Sequence, residues 1–154
     1  MDTHLYHVDV AWSNDRKGML CSPELNKATD SQGCIEVATP PEFPKGIPGI
    51  WSPEHLFTAA VSSCLMTTFL AIAENSKLDF ISFHCSSDGK LEKADGKFLM
   101  TEVLLQPIVT VREEKDVDRA LRVLEKSEQN CLISNSVKAK VIMQPKVEVE
   151  VTVA

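Results

Sequence analysis

The stretch from Leu56 to Ala73 carries no charged side chain, and it constrains this chain more than any other segment. A run of this kind either crosses a membrane or lies inside a protein. Crossing the hydrocarbon core takes roughly 20 predominantly apolar residues. This run falls short of that and includes Thr58, Ser62, Ser63, Thr67 and Thr68, so it reads as a helix of a globular core and no membrane partner is expected. Its start is well marked. Ser52 can cap it, and Pro53 stands at the first helical position, where a missing N–H costs nothing. Glu54 lies in the first turn, where the helix dipole favours a carboxylate. The helix is expected to run to Asn75, apolar almost all round, with other structure covering most of its circumference.

The flanking segments read mostly as strands. Leu5 to Trp12 alternate, with Tyr6, Val8, Val10 and Trp12 on one face of an expected half-buried strand. A polar turn follows at Ser13-Asn14-Asp15 and Arg16-Lys17-Gly18, then short strands over Met19 to Ser22 and Cys34 to Ala38. Thr39 to Gly49 holds four prolines and two glycines, which makes it a shaped loop. From Phe80 to Arg112 the pattern is again strand, with turns expected at Gly89 and Gly96. A second helix fits Asp116 to Gln129, with Val117, Ala120, Leu121 and Leu124 on one face. The tail returns to strand over Val137 to Met143, then Val147, Val149, Val151 and Val153 alternate with polar residues. Because strands join mostly by turns, the expected class is α+β with antiparallel sheets around a long buried helix. At 154 residues one domain spanning 1–154 is expected.

Composition removes several functions. The net charge is −6 with scattered charges, which disfavours nucleic acid as a partner, since that needs a basic patch. The N-terminus, MDTHLYHVDVAW, has no basic start followed by an apolar run, so no export signal is expected. Five cysteines, Cys21, Cys34, Cys64, Cys85 and Cys131, are odd in number and widely spaced. A disulfide framework is not expected from them, and a reducing cytoplasm fits better. There is no CxxC, no zinc-type Cys/His cluster, no phosphate-binding glycine loop and no GxSxG elbow. His84 and Cys85 are strand neighbours that point to opposite faces and cannot share a metal.

Taken singly, the candidate residues are unremarkable. Cys64, three turns into the buried helix, reads as a small hydrophobe. The dipole fades within the first turn, and apolar surroundings raise a thiol's pKa. A reactive Cys64 therefore needs a cation brought from elsewhere. Cys131 follows the second helix and precedes Ser134-Asn135, which reads as turn chemistry. Arg16 reads as a solvated turn cation and Glu54 as a helix-start carboxylate.

Together they look familiar. Ser52-Pro53-Glu54-His55-Leu56-Phe57-Thr58-Ala59-Ala60-Val61-Ser62-Ser63-Cys64 resembles the helix signature of the OsmC/Ohr family, PE-x-L-hydrophobic-x-A-x-x-x-x-C. Cys131-Leu132-Ile133-Ser134-Asn135 resembles the family's second signature, C-P-x-S-N, with Leu132 in place of the proline. Asp15-Arg16-Lys17-Gly18 is similar to the family's Arg-containing turn, without its preceding glycine. Pro40-Pro41-Glu42-Phe43-Pro44 and Trp51 replace the Gly-rich stretch and Asn typical of the organic-hydroperoxide branch.

The resemblance implies an intertwined homodimer and a two-cysteine peroxidase of oxidative-stress defence. Cys64 would be the attacking thiol and Cys131 its disulfide partner. Arg16 would hold the thiolate, with Glu54 orienting it, since a guanidinium can meet thiolate and carboxylate together. The implied substrate is a small organic hydroperoxide, with hydrogen peroxide a second candidate. The implied reductant is an external dithiol such as a dihydrolipoyl protein, with no bound cofactor or metal. Cys21, Cys34 and Cys85 match no family motif and are expected to be structural. Two other readings stand beside this one: a catalytically silent module binding an apolar ligand at the dimer interface, and a thiol redox sensor.

Overall fold

A computed structural model describes residues 2–25 and 33–151. The contacts divide the chain into two compact units, Met1–Leu56 and Phe57–Ala154.

The first unit is a three-stranded antiparallel sheet of β1 (Asp9–Asn14), β2 (Lys17–Cys21) and β3 (Cys34–Ala38), in that order. The tight turn at Asp15 and Arg16 puts Asp15 at a φ of 48°, a conformation that short polar residues tolerate. The indole of Trp12 closes the turn by donating to the Asp15 carbonyl at 3.1 Å. The first strand departs from the alternation in its sequence. It begins at Asp9 rather than Leu5, and Tyr6, Val8, Val10 and Trp12 are all exposed. Alternation marks a strand but does not say that anything covers its apolar face.

The cysteines give a second correction. Cys21 and Cys34 face each other across β2 and β3 and are joined as a disulfide, with Cα atoms 4.1 Å apart. The odd number and wide spacing of the cysteines argued against a disulfide framework, with Cys21 and Cys34 expected to be structural, and the structure joins these two. Register decides the matter, because hairpin pairing brings together residues that are far apart along the chain.

The proline-rich loop after β3 is pinned by Thr39 N–H donating to the Arg16 carbonyl at 3.0 Å and Ile47 N–H donating to the Thr39 carbonyl at 2.9 Å. It leads to the long helix α1 (Pro53–Asn75), with the bounds the sequence predicts. Ser52, fully buried, accepts the His55 N–H on its Oγ at 3.1 Å. This satisfies one of the helix's orphan donors.

In the second unit α1 packs on a sheet of β4 (Ser82–Ala94), β5 (Lys97–Val111), β6 (Lys140–Met143) and β7 (Lys146–Val149). The hairpin of β4 and β5 turns at Asp95 and Gly96, both at positive φ, as a two-residue loop requires. Gly89, expected in a turn, lies inside β4 opposite Val103. A Cβ there would stand 2.0 Å from Thr58 Oγ1 of α1. Both a turn and a close approach call for glycine, so the residue type alone did not separate them.

The sheet is mixed rather than purely antiparallel: β5 pairs in parallel with β6 and then with β7, reached through α2 (Val117–Gln129). Pro107 lies on β5 between the end of the β6 pairing at Leu105 and the start of the β7 pairing at Ile108. That gap is where a strand can do without an N–H. The tail strand ends at Val149, Val151 is exposed, and Thr152 and Val153 lie outside the described residues.

One core cluster joins Phe69 and Ala73 of α1 to Val109, Val111, Ala120, Val123 and Leu124. A second joins Val61 and Leu65 to Val103 and Leu105. Phe69 meets Phe80 and Phe83 at ring-centroid distances of 5.1 and 5.0 Å. The helix is long and apolar enough to span a membrane by composition, yet Val61, Cys64, Leu65, Phe69 and Ala73 form a buried face. The rest of its circumference is less covered than expected, with Met66 and Leu70 about two-fifths exposed, at 40% and 43%.

Candidate active site

The second unit holds two thiols in contact. Cys64 sits on the buried face of α1, one turn after Val61 and one before Thr68, so the core that fixes the helix also fixes its sulfur. Its Sγ lies 3.9 Å from Thr68 Oγ1, the i+4 neighbour on the same face. Cys131 follows α2 and is fully buried. Its carbonyl accepts the Asn135 N–H at 3.0 Å, and the Ile133 carbonyl accepts the Ser136 N–H at 2.9 Å. These bonds wind the chain into a tight turn against the helix. Ile133 of that turn packs into the cluster of Val61 and Leu65.

The surroundings split the two thiols. Burial pushes the Cys64 thiol up, but hydrogen bonds from the Cys131 thiol, the Ile133 amide, the Thr68 hydroxyl and the Leu132 amide outweigh it and leave Cys64 below the ordinary thiol value. Burial pushes Cys131 up, and its bond to Cys64 pushes it further, against smaller help from the Ser134 hydroxyl and amide. These directions make Cys64 the more acidic of the two thiols. Sequence reasoning asked for a cation at this point. Within this unit uncharged donors lower the pKa, as hydrogen bonds to a charged form do. Cys64 and Cys131 are both free thiols, as is Cys85, whose Sγ lies 3.4 Å from Ser87 Oγ.

Arg16 and Glu54 belong to the first unit, where both line one cavity of about 760 Å³. Arg16 stands on the β1–β2 turn, exposed at its side chain, with its carbonyl taken by Thr39. Glu54 projects from the first turn of α1 with its Oε2 buried. Trp12, Val37, Pro40 and Phe43 give the cavity an apolar wall beside these charges. Among the described residues, no group of three or more His, Cys, Asp and Glu side chains is placed to hold a metal ion.

Sequence reasoning missed Thr68, Leu132, Ile133 and Ser134. Thr68 was within reach, since i and i+4 share a helix face. Ser134 was read as turn chemistry, although its Oγ is buried and its hydroxyl faces Cys131. Leu132 and Ile133 act through the backbone, which no residue type announces.

The sequence profile of the OsmC-like protein family matches residues 46–146. The uncharacterized protein YmaD of Bacillus subtilis (strain 168) is 22% identical over 147 residues, or 94% of this chain and 93% of its own length. Among solved structures, an OsmC-like protein of unknown function from Vibrio cholerae is 24% identical, with a TM-score of 0.79 over 93% of this chain and 99% of its own. An organic hydroperoxide resistance protein from Legionella pneumophila is 23% identical, with a TM-score of 0.71 over 96% of this chain and 100% of its own. At these identities the solved structures establish the fold.

Proposed function

The chain belongs to the OsmC-like protein family, and we propose on that footing that it is a thiol-dependent peroxidase reducing organic hydroperoxides. The observation that carries this reading is the contact between two free thiols of opposed acidity, Cys64 lowered and Cys131 raised. A thiolate is the nucleophile and a neighbouring protonated thiol is the resolving partner.

The Cys64 thiolate attacks the terminal oxygen of the hydroperoxide. The S–O bond forms as the O–O bond breaks, sulfur gives up two electrons, and the alkoxide leaves and takes a proton to become the alcohol. Cys131 then attacks the sulfenic sulfur. The S–S bond forms, the S–O bond breaks, and hydroxide leaves as water with the proton from Cys131. An external dithiol, dihydrolipoyl by family resemblance, reduces the disulfide by exchange. Arg16 and Glu54 keep the roles that the resemblance assigns, a cation and its orienting carboxylate. Their place on the wall of one cavity supports that pairing. Apolar residues beside Cys64, Val61, Leu65 and Ile133 among them, favour an alkyl hydroperoxide over hydrogen peroxide, at about 0.8 kcal/mol per buried CH₂. The proposal includes a homodimer, supported by the exposure of Met66 and Leu70 on the apolar helix α1; a cytoplasmic location rests on the sequence reading alone, and the Cys21–Cys34 disulfide stands against it.

The test is steady-state peroxide consumption with excess dihydrolipoamide, comparing cumene hydroperoxide and hydrogen peroxide on wild type and Cys64→Ser. Turnover of the organic peroxide that disappears in the variant is expected. Folded protein that turns over neither peroxide refutes the enzyme. It would favour the apolar-ligand module, for which the same cavity, walled by Trp12, Val37 and Phe43, is the candidate site.

A further inference from the structure

We propose that Cys21 and Cys34 form a second redox couple, opened by an external dithiol, whose state sets how firmly β2 and β3 are held where they wall the cavity of the first unit. The couple uses neither Cys64 nor Cys131, so it goes beyond the proposed peroxidase and does not depend on it.

The place of the bond carries this. Cys21 and Cys34 stand opposite each other at one end of the β2–β3 pairing, and Lys17 and Gly18 stand opposite Ala38 and Val37 at the other. Those four residues, with Arg16 and Thr39, line the cavity of about 760 Å³. A covalent link at one end of two short strands therefore restrains the ends that shape the cavity. β3 is an edge strand of its sheet. Among the described residues, Cys34 to Glu36 make their strand pairing with β2 alone, whereas the Ala38 N–H also donates to the Trp51 carbonyl at 2.8 Å.

The strand pairing does not need the bond. The Ser22 N–H donates to the Gly33 carbonyl at 3.0 Å beyond one end of it, and the Thr39 N–H donates to the Arg16 carbonyl at 3.0 Å beyond the other. This pattern makes Cys21 and Cys34 a non-hydrogen-bonded pair, the kind at which cross-strand side chains come closest. The register brings the sulfurs together, so the couple can open and close while the sheet stays paired. Both residues are half-buried, which leaves the bond open to a small dithiol.

The exchange balances between the couple and its partner. One thiolate of the dithiol attacks a sulfur of the Cys21–Cys34 bond. That S–S bond breaks as a mixed disulfide forms, and the other cysteine leaves as a thiolate and takes a proton. The second thiolate of the dithiol then displaces the first cysteine. Two electrons pass to the pair, and the dithiol becomes a disulfide. An external disulfide closes the bond again by the reverse exchange. Reducing surroundings open such a bond and oxidising ones keep it closed, so the cavity wall follows the redox poise around the protein.

The experiment is amide hydrogen exchange on the folded wild-type chain, before and after dihydrolipoamide, with alkylation and mass spectrometry to identify the reduced cysteines. Cys21 and Cys34 should both become alkylated without denaturant. The bond spans a sequence separation of 13. Losing a link of that span favours opening by up to roughly a hundredfold, so exchange at Ala38 and Thr39 should quicken by about tenfold or more. Amides of β5 in the second unit should keep their rate. Cys21→Ser combined with Cys34→Ser should show the fast rate without any dithiol, and a folded double variant at the wild-type rate overturns the proposal.

The wild-type measurement decides the matter without the variant. A bond that resists the dithiol until the chain is denatured overturns the proposal. So does a reduced bond with unchanged exchange at Ala38 and Thr39. If reduction unfolds the whole sheet of β1, β2 and β3, the bond is structural and the proposal fails. None of these readouts involves peroxide, so the peroxidase can fail its own test and leave this result standing.

Discussion

Replacing Gly89 by alanine tests the approach of β4 to the helix that carries Cys64. An added Cβ would lie 2.0 Å from Thr58 Oγ1, 3.2 Å from Thr58 Cβ and 2.8 Å from Met100 Cε. Methionine is unbranched and can give way. Thr58 cannot do so cheaply, because it is β-branched and held on a helix. Overpacking of this kind costs about 1–3 kcal/mol. Alanine returns about 0.5–1 kcal/mol by restricting the unfolded chain. The net lies between about 0 and 2.5 kcal/mol, and an approach as close as 2.0 Å puts it in the upper part, about 1–2.5 kcal/mol, which at this length lowers the melting temperature by about 2–10 °C. Calorimetry of Gly89→Ala, Thr58→Ala and the double variant gives a cycle that separates the clash from any other role of Thr58. Thr58→Ala removes the oxygen at 2.0 Å and leaves only the Cβ at 3.2 Å, so most of the loss should be recovered, with a coupling of about 1 kcal/mol or more. If Gly89→Ala is as stable as wild type, or if Thr58→Ala rescues nothing, the close contact is not what requires glycine in this strand.

Two further outcomes follow from the thiols. Cys131→Ala removes the strongest of the bonds that lower Cys64, so the Cys64 alkylation profile should move to higher pH. In the wild type Cys64 should react at lower pH than Cys131, and the reverse order would contradict the assigned directions. Of the five cysteines, Cys64, Cys85 and Cys131 are free and Cys21 and Cys34 are bonded. Protein denatured without reductant should accordingly give three reactive thiols, rising to five after reduction, and five before reduction would exclude the disulfide.

Where local chemistry decides an element, the sequence was a sound guide. Ser52 and Pro53 specify the start of α1, and the 3.6-residue period of Val117 to Gln129 specifies α2, half-buried at Leu121 and buried at Ala120 and Leu124. Where a partner decides, it was not. Alternation revealed β6 and β7 as strands, yet their parallel pairing with β5 depends on the path through α2. The same holds for Cys21 and Cys34, which meet only because β2 and β3 take one register and not its neighbour. It holds again for Val10 and Trp12, whose alternation is real but whose apolar face stays exposed.

The candidate site divides along that line for a deeper reason. Cys64 and Cys131 were legible because cysteine chemistry belongs to a side chain. The donors that separate them were not, because a main-chain N–H belongs to every residue except proline. Leu132 stands where the family's second signature carries proline, so a departure that reads as a change in the loop is also the gain of a donor. Two buried thiols with equal acidity would supply either no nucleophile or two thiolates repelling each other across a contact, and neither state leads to a defined product. Burial raises both thiols, but the bond between them lowers Cys64, with smaller help from its other donors, and raises Cys131 further, which breaks the symmetry. In the proposed peroxidase, attack would accordingly fall to the Cys64 sulfur on the helix and resolution to the Cys131 sulfur on the turn.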